Sequence, residues 1–589
     1  MNRFEELQEK LEKLSPIPVN MPKLYLLGDT GAGKTTIVKK ILGTDDYKFP
    51  SVQQKRCTVA VTEYVLSRDL PYKATYIFRT EDQVSEFVNE ILEIAIENAY
   101  VNLSKGKFHI SDVVENIEET PDERFRLKYI LSSEQLEEVA KAIEQMLPGL
   151  HTAIESLKTE LELQSSDELG VLVDLALEKQ KEELSEIKDK ILAHIKCKVA
   201  ELCDGFVLFS DADHYQHSSS KLEGFINQAQ KLLLCAKNSV SPVVEYARLQ
   251  GNLLASWLPK DTELVLIDGE GIGHDTREAS RRLSARHFDY FHFADSIGLV
   301  EESKKPFASG GKNAIEEIIR NGYLEKFNLI FSKLDEVEVG DKENAGRDDQ
   351  IRAVKKGFTN VKHALQEDGV ELNLGNDRLF HLSHMNDKET SEDDVAVIRR
   401  LIADIKDKFN KDKPQFVEPI YNYEMLSSFL TQSSGNFANI WSSMLNSKHW
   451  QTIKAFNRRM CWEWDEFRDM KPISDFHGEV TKELEHFISH PNKWNEPATP
   501  SMQQKSIDKI KQEFSKQLLA FARLVILKNY DNDWDEAIEL SGSGSTSIRK
   551  NKIQYIILEV LPDHRKPEAI KMKDSIKRLL MEAIDVCKA

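Results

Sequence analysis

The sequence predicts an α/β fold: a mostly parallel sheet with helices on both faces, a large and mainly helical insertion, and an all-α C-terminal domain. Three observations predict it. Short apolar runs of strand length alternate with helical periodicities before about residue 415, the grammar of a parallel sheet. Beyond that point strand signals mostly vanish while helical spacing continues. The charge changes at nearly the same place: of the net −19, residues 1–410 carry −20 and residues 411–589 carry +1.

The elements follow in order. Phe4, Leu7, Leu11 and Leu14 at helical spacing give an N-terminal helix within residues 1–20, ended by Pro16, Pro18 and Pro22. Lys23–Leu27 reads as a strand, Gly28–Gly33 as a glycine-rich turn, and a helix opens at Lys34. Thr58–Leu66 and Tyr72–Phe78 alternate like strands and, separated by a short turn, predict a hairpin. Thr80 with Gln83 forms a capping box for the next helix. Residues 132–202 read as helix broken at Pro148–Gly149, with Leu184, Ile187, Ile191 and Ile195 repeating along a helical hairpin. Strand grammar returns at Thr262–Ile267, Ser296–Val300, Asn328–Phe331 and Arg378–Leu382. The expected division is residues 21–66 and 257–412 for the sheet domain, 67–256 for the insertion and 413–589 for the helical end. In that end Trp441, Trp450, Trp462 and Trp464 read as bundle core, with Arg458, Arg459, Glu463 and Asp465 as the polar face.

Composition narrows the function. An acidic surface argues against nucleic acid as the partner. No apolar run approaches the ~20 residues of a membrane-spanning helix. The N-terminus lacks the apolar centre of a signal peptide, and six scattered cysteines without a C-x-x-C pair fit a reducing compartment, so the expected location is cytoplasmic.

Gly28-Asp29-Thr30-Gly31-Ala32-Gly33-Lys34-Thr35 matches G-x-x-x-x-G-K-[ST] between a strand and a helix, and Thr36 continues that helix. Such a loop turns backbone N–H groups around a phosphate chain at a helix N-terminus. Lys34 would reach the β- and γ-phosphates and Thr35 would ligate Mg²⁺. Asp268, closing the run Leu264–Ile267, opens Asp268-Gly-Glu-Gly271. In this D-x-x-G pattern the aspartate would hold Mg²⁺ through water and the Gly271 amide would sense the γ-phosphate. Thr58 is the expected second metal ligand, with Thr62 as its rival. Ser309-Gly-Gly-Lys312 looks like a second phosphate loop, but Asn313 follows it, so a helix N-terminus is expected there.

Ser332-Lys333-Leu334-Asp335 resembles the [NT]-K-x-D motif of GTPases, in which the aspartate accepts two guanine N–H bonds, and Ser383-His384 is a loose match to their S-A-[KL] loop. With all five elements in order, the chain resembles the translation-factor-related class of P-loop GTPases over about 170 residues. The resemblance implies GTP and GDP as ligands rather than ATP, with Mg²⁺, and an enzyme producing GDP and phosphate. Ile272 stands where Ras-like proteins carry the water-orienting glutamine. That substitution, the helical tail and the insertion resemble dynamin-like large GTPases, by general layout the dynamin-related nuclear group. The resemblance implies a homodimer or nucleotide-dependent homo-oligomer in which hydrolysis drives conformational change or self-assembly. The alternative is a slow nucleotide-gated switch or sensor that binds a protein partner through its helices. Arg56 and Thr30 are the expected catalytic helpers, since Gly31 occupies the place where dynamin-like proteins carry a polar group; His274 and Asp275 read as switch surface.

Overall fold

The computed structural model describes residues 2–44, 46, 48–50, 60–118, 125–160, 169–269, 271–272, 282–307, 310–339, 346–411, 415–540, 545–562 and 566–588. Its centre is a nine-stranded sheet: β1 Lys23–Gly28, β2 Val61–Leu66, β3 Tyr72–Phe78, β4 His214–Ser219, β5 Val244–Gly251, β6 Leu264–Asp268, β7 Ser296–Glu302, β8 Phe327–Ser332 and β9 Leu379–His381. The spatial order is β4-β3-β5-β2-β6-β1-β7-β8-β9. Strands β6, β1, β7, β8 and β9 run parallel. β2 runs against β6 and parallel to β5, and β3 is antiparallel to both β5 and β4.

The expected hairpin of the second and third strands does not form, because β5 lies between them. Its sequence, Val-Glu-Tyr-Ala-Arg-Leu-Gln-Gly, hides a buried strand behind charge. Arg248 is fully buried and donates to Glu63 of β2, to the Ser15 carbonyl at 2.7 Å and to Gln8 at 2.9 Å. The predicted break at Pro148–Gly149 is absent too, since one helix spans Ser133–Glu160. Proline removes one backbone donor there. The carbonyl of Pro148 accepts from the Thr152 hydroxyl at 3.0 Å, and Gly149 lets the Gln180 amide pack directly on the helix backbone.

Alternate residues of β1 face two cores. Leu24 and Leu26 join helix Lys34–Leu42, the insertion helices and helix Glu392–Asn410. Tyr25 and Leu27 join the N-terminal helix Arg3–Leu14, helix Ala285–Phe293 and the C-terminal helices. Trp441 is fully buried between Phe437 and Phe456, as the bundle reading expects, whereas Trp462 and Trp464 are only half-buried and Trp464 packs on Phe87 of the insertion. Of the expected polar face, Glu463 is exposed, whereas Arg458, Arg459 and Asp465 are turned inward. Arg458 and Arg459 of helix Trp450–Cys461 meet Glu86, Glu90 and Glu93 of insertion helix Glu81–Ser104, and Lys454 meets Glu93 and Asp174. Acidic residues spaced four and three apart lie on one helix face, so the insertion and the C-terminal helices are joined by a buried ion network. Among the described residues no helix is long and apolar enough to cross a membrane.

Candidate nucleotide site

In an open α/β sheet, ligands bind beyond the carboxyl ends of the parallel strands, where neighbouring connections diverge. Here that point is β1, flanked by β6 and β7. Gly28, Gly31 and Gly33 take φ of +149°, +83° and +100°. A β-carbon on Gly28 would run into the Val300 carbonyl oxygen, so both conformation and space demand glycine. The resulting turn ends in helix Lys34–Leu42. Lys34, 7% exposed, folds its ammonium over the loop and donates to the carbonyls of Gly28 at 2.7 Å and Asp29 at 3.1 Å. Burial raises the Asp29 carboxyl above its ordinary range, against the nearby Lys34 charge and a bond from the Gly310 N–H.

Asp268 ends β6 beside this loop and accepts from the Thr35 hydroxyl at 2.9 Å. A hydroxyl and a carboxylate at a phosphate loop are hard oxygen donors, the set that suits Mg²⁺. Thr62 of β2 lies opposite Asp268 in the ladder and is buried. Thr58 and Arg56 fall outside the described residues, as do His274, Asp275 and Ser309, and the expected helix at the last of these runs Gly311–Arg320. Gly271 approaches the loop so closely that a β-carbon there would stand 3.0 Å from the Thr30 hydroxyl. The Ile272 N–H donates to the Gly28 carbonyl at 3.2 Å, while its side chain is buried in the core against Gly310.

The β8 and β9 ends close the other side. Ser332 donates to the Ala32 carbonyl at 2.6 Å and packs on Gly33, which joins the phosphate loop to the following Lys333-Leu-Asp335. Lys333 and His384 both take left-handed backbone, at φ +52° and +48°. Such conformations are costly in residues other than glycine and cluster at functional sites. The Lys333 ammonium pairs with Glu302 at the end of β7. The Asp335 carboxylate accepts from the His384 N–H at 2.7 Å, and the Leu334 N–H donates to the Leu382 carbonyl at 2.9 Å. Ser383 is buried and held by Asp394 and Arg347.

The structure therefore brings together Gly28 to Thr35, Asp268, Gly271, Ser332 to Asp335, Ser383 and His384. Sequence reasoning missed Glu302, Arg347 and Asp394. Only Asp394 had a local signal, the Ser391-x-x-Asp394 spacing of a helix cap.

No family model and no curated protein matches the chain. Among solved structures, two of an oligomerised bacterial dynamin pair, described as providing a mechanism for the long-range sensing and tethering of membranes, align over 99% of this chain and 76% of theirs. Identity is 10% in both, with TM-scores of 0.30 and 0.27.

Proposed function

We propose that this chain binds a guanine nucleotide with Mg²⁺ and hydrolyses GTP to GDP and phosphate. The observation that carries the reading is the Ser332 hydroxyl on the Ala32 carbonyl at 2.6 Å, which ties the base motif to the phosphate loop. The loop amides and Lys34 take the phosphates, and Thr35 and Asp268 are the residues that would hold the metal. A bound magnesium ion would supply charge neutralisation to the phosphates. For the base, Asp335 offers an acceptor beside the His384 N–H donor, and the two satisfy each other at 2.7 Å. Guanine presents two donors next to a carbonyl acceptor, so it can replace both halves of that pair. Adenine presents an acceptor where Asp335 needs a donor.

Ile272, buried in the core, gives the attacking water no hydrogen bond. Unaided hydrolysis is then slow, on the order of 10⁻⁴ s⁻¹, and a supplied positive group raises such rates by ~10³–10⁵. A second copy across the nucleotide face is the proposed source, with Arg56 and Thr30 as the groups it would align. The second reading, a slow switch acting on a protein partner, is favoured by the same buried Ile272 if no such copy binds.

Phosphate release across a protein-concentration series tests both. Specific activity that climbs with concentration supports self-activation, and a flat, slow rate assigns the switch. Lys34→Ala should lose ~10²–10³-fold or more in turnover. Wild-type turnover in that variant overturns the nucleotide site altogether.

A further inference from the structure

We infer that Asp394, clasped by Arg347, is a positioning residue of the base site; this rests on the guanine reading above. Asp394 lies in the first turn of helix Glu392–Asn410 and is 1% exposed. Its side chain divides its work. One oxygen, Oδ2, accepts the Ser391 hydroxyl at 2.6 Å, completing the start of its own helix, and also the Ser383 hydroxyl at 3.2 Å. The other, Oδ1, is turned out of the helix to accept the Ser383 N–H at 3.0 Å and an Arg347 guanidinium N–H at 3.1 Å. Arg347 opens helix Arg347–Glu367, 47 positions earlier in the chain. Its guanidinium also donates to the His381 carbonyl at 2.7 Å and to the Ser383 hydroxyl.

Two helices and the end of β9 thus meet on one carboxylate. The segment they fix is the one whose next residue, His384, carries left-handed backbone and aims its N–H at Asp335. Capping accounts for the contact to Ser391 and for none of the contacts to Ser383 and Arg347. A planar guanidinium that spans a carboxylate, a carbonyl and a hydroxyl sets direction as well as charge, which a lysine cannot reproduce. The consequence is a base site ordered before the nucleotide arrives, so less binding energy is spent ordering the loop.

The experiment is the rate of release of a fluorescent GDP from the full chain, with the KM and kcat of GTP turnover measured alongside. Asp394→Ala and Arg347→Gln should each release GDP at least tenfold faster, with the loss falling on KM more than on kcat. Arg347→Lys should fall between them and wild type. Ser391→Ala removes the helix cap and leaves the Ser383 contacts, so it should lower thermal stability with release unchanged. Asp394→Asn, which keeps the Ser383 acceptor and loses the charge, is the variant to use if Asp394→Ala does not fold; it should also release GDP faster. Release from Ser391→Ala as fast as from Asp394→Ala overturns the clasp, because capping alone would then explain the residue. Guanine binding by wild type with unchanged release from Arg347→Gln and Asp394→Asn overturns the clasp alone. No guanine nucleotide binding by wild type overturns the guanine reading, and the clasp with it.

Discussion

Replacing Arg458 by methionine should destabilise the chain by about 3 kcal/mol at neutral pH. The guanidinium lies between two carboxylates, 2.5 Å from Glu86 and 2.8 Å from Glu93. These side chains are only about a tenth exposed, so solvent cannot replace the lost partner. Burial alone would raise the Glu93 carboxyl; the charges of Arg458 and Lys454 outweigh it and hold it at about 2, against an ordinary 4.5. That difference is worth about 3 kcal/mol at 1.36 kcal/mol for each pH unit. It agrees with the ~3–5 kcal/mol cost of breaking a buried pair from one side. The sign follows from the lowered value: the contribution is present above pH 4.5 and is lost as pH falls through about 2. The assay is denaturant unfolding followed by tryptophan fluorescence, since Trp450 and Trp464 border the network. Adding Glu86→Gln and Glu93→Gln to the Arg458→Met chain should restore most of the loss, because it removes the stranded charges. A single variant within ~0.5 kcal/mol of wild type would mean a solvated, surface-like pair and refute the buried lock.

Two further outcomes follow from the same structure. Gly28→Ala should abolish nucleotide binding, because the loop's φ of +149° and the Val300 carbonyl leave no room for a methyl group; near-normal GDP affinity in that variant would show that the loop is not the phosphate cradle. Asp475→Asn should become increasingly more stable than wild type as pH rises. Burial pushes this carboxyl from 3.8 to about 7 against the Arg282 and Lys471 charges, so the wild-type chain loses stability as pH climbs from 3.8 through 7. The melting-temperature gap should widen between pH 5 and pH 8 by the equivalent of about 3 kcal/mol; a gap that narrows contradicts the assignment.

What the sequence revealed was what is local. A phosphate loop is eight consecutive residues whose glycines, lysine and threonine declare their backbone and chemistry together. The parallel strands at Lys23, Leu264, Ser296, Phe327 and Leu379 are apolar because both faces are covered. Long-range pairing escaped. β5 was hidden because Glu63 and Arg248 neutralise each other inside the sheet, and a charged pair read one residue at a time looks like surface. The same reasoning explains the inward face of helix Trp450–Cys461, whose arginines find their carboxylates more than 360 positions earlier. Helix Pro472–Ser489 carries a weak sequence signal because Asp475, His477 and Glu479 occupy buried positions on it. At the site, Ser332 and Asp335 were legible as a motif, whereas Arg347 and Asp394 become functional only once two helices and β9 converge.

The most direct test of the guanine site is calorimetric titration of wild type and Asp335→Asn with GDP, ADP and xanthosine diphosphate in the presence of Mg²⁺. The account predicts one GDP per chain and far weaker ADP for wild type. For Asp335→Asn it predicts GDP weakened by roughly 5–150-fold and xanthosine diphosphate gained, since an unmatched buried polar pair costs ~1–3 kcal/mol. Equal affinity of wild type for GDP and ADP, or an Asp335→Asn variant with unchanged base preference, would contradict it.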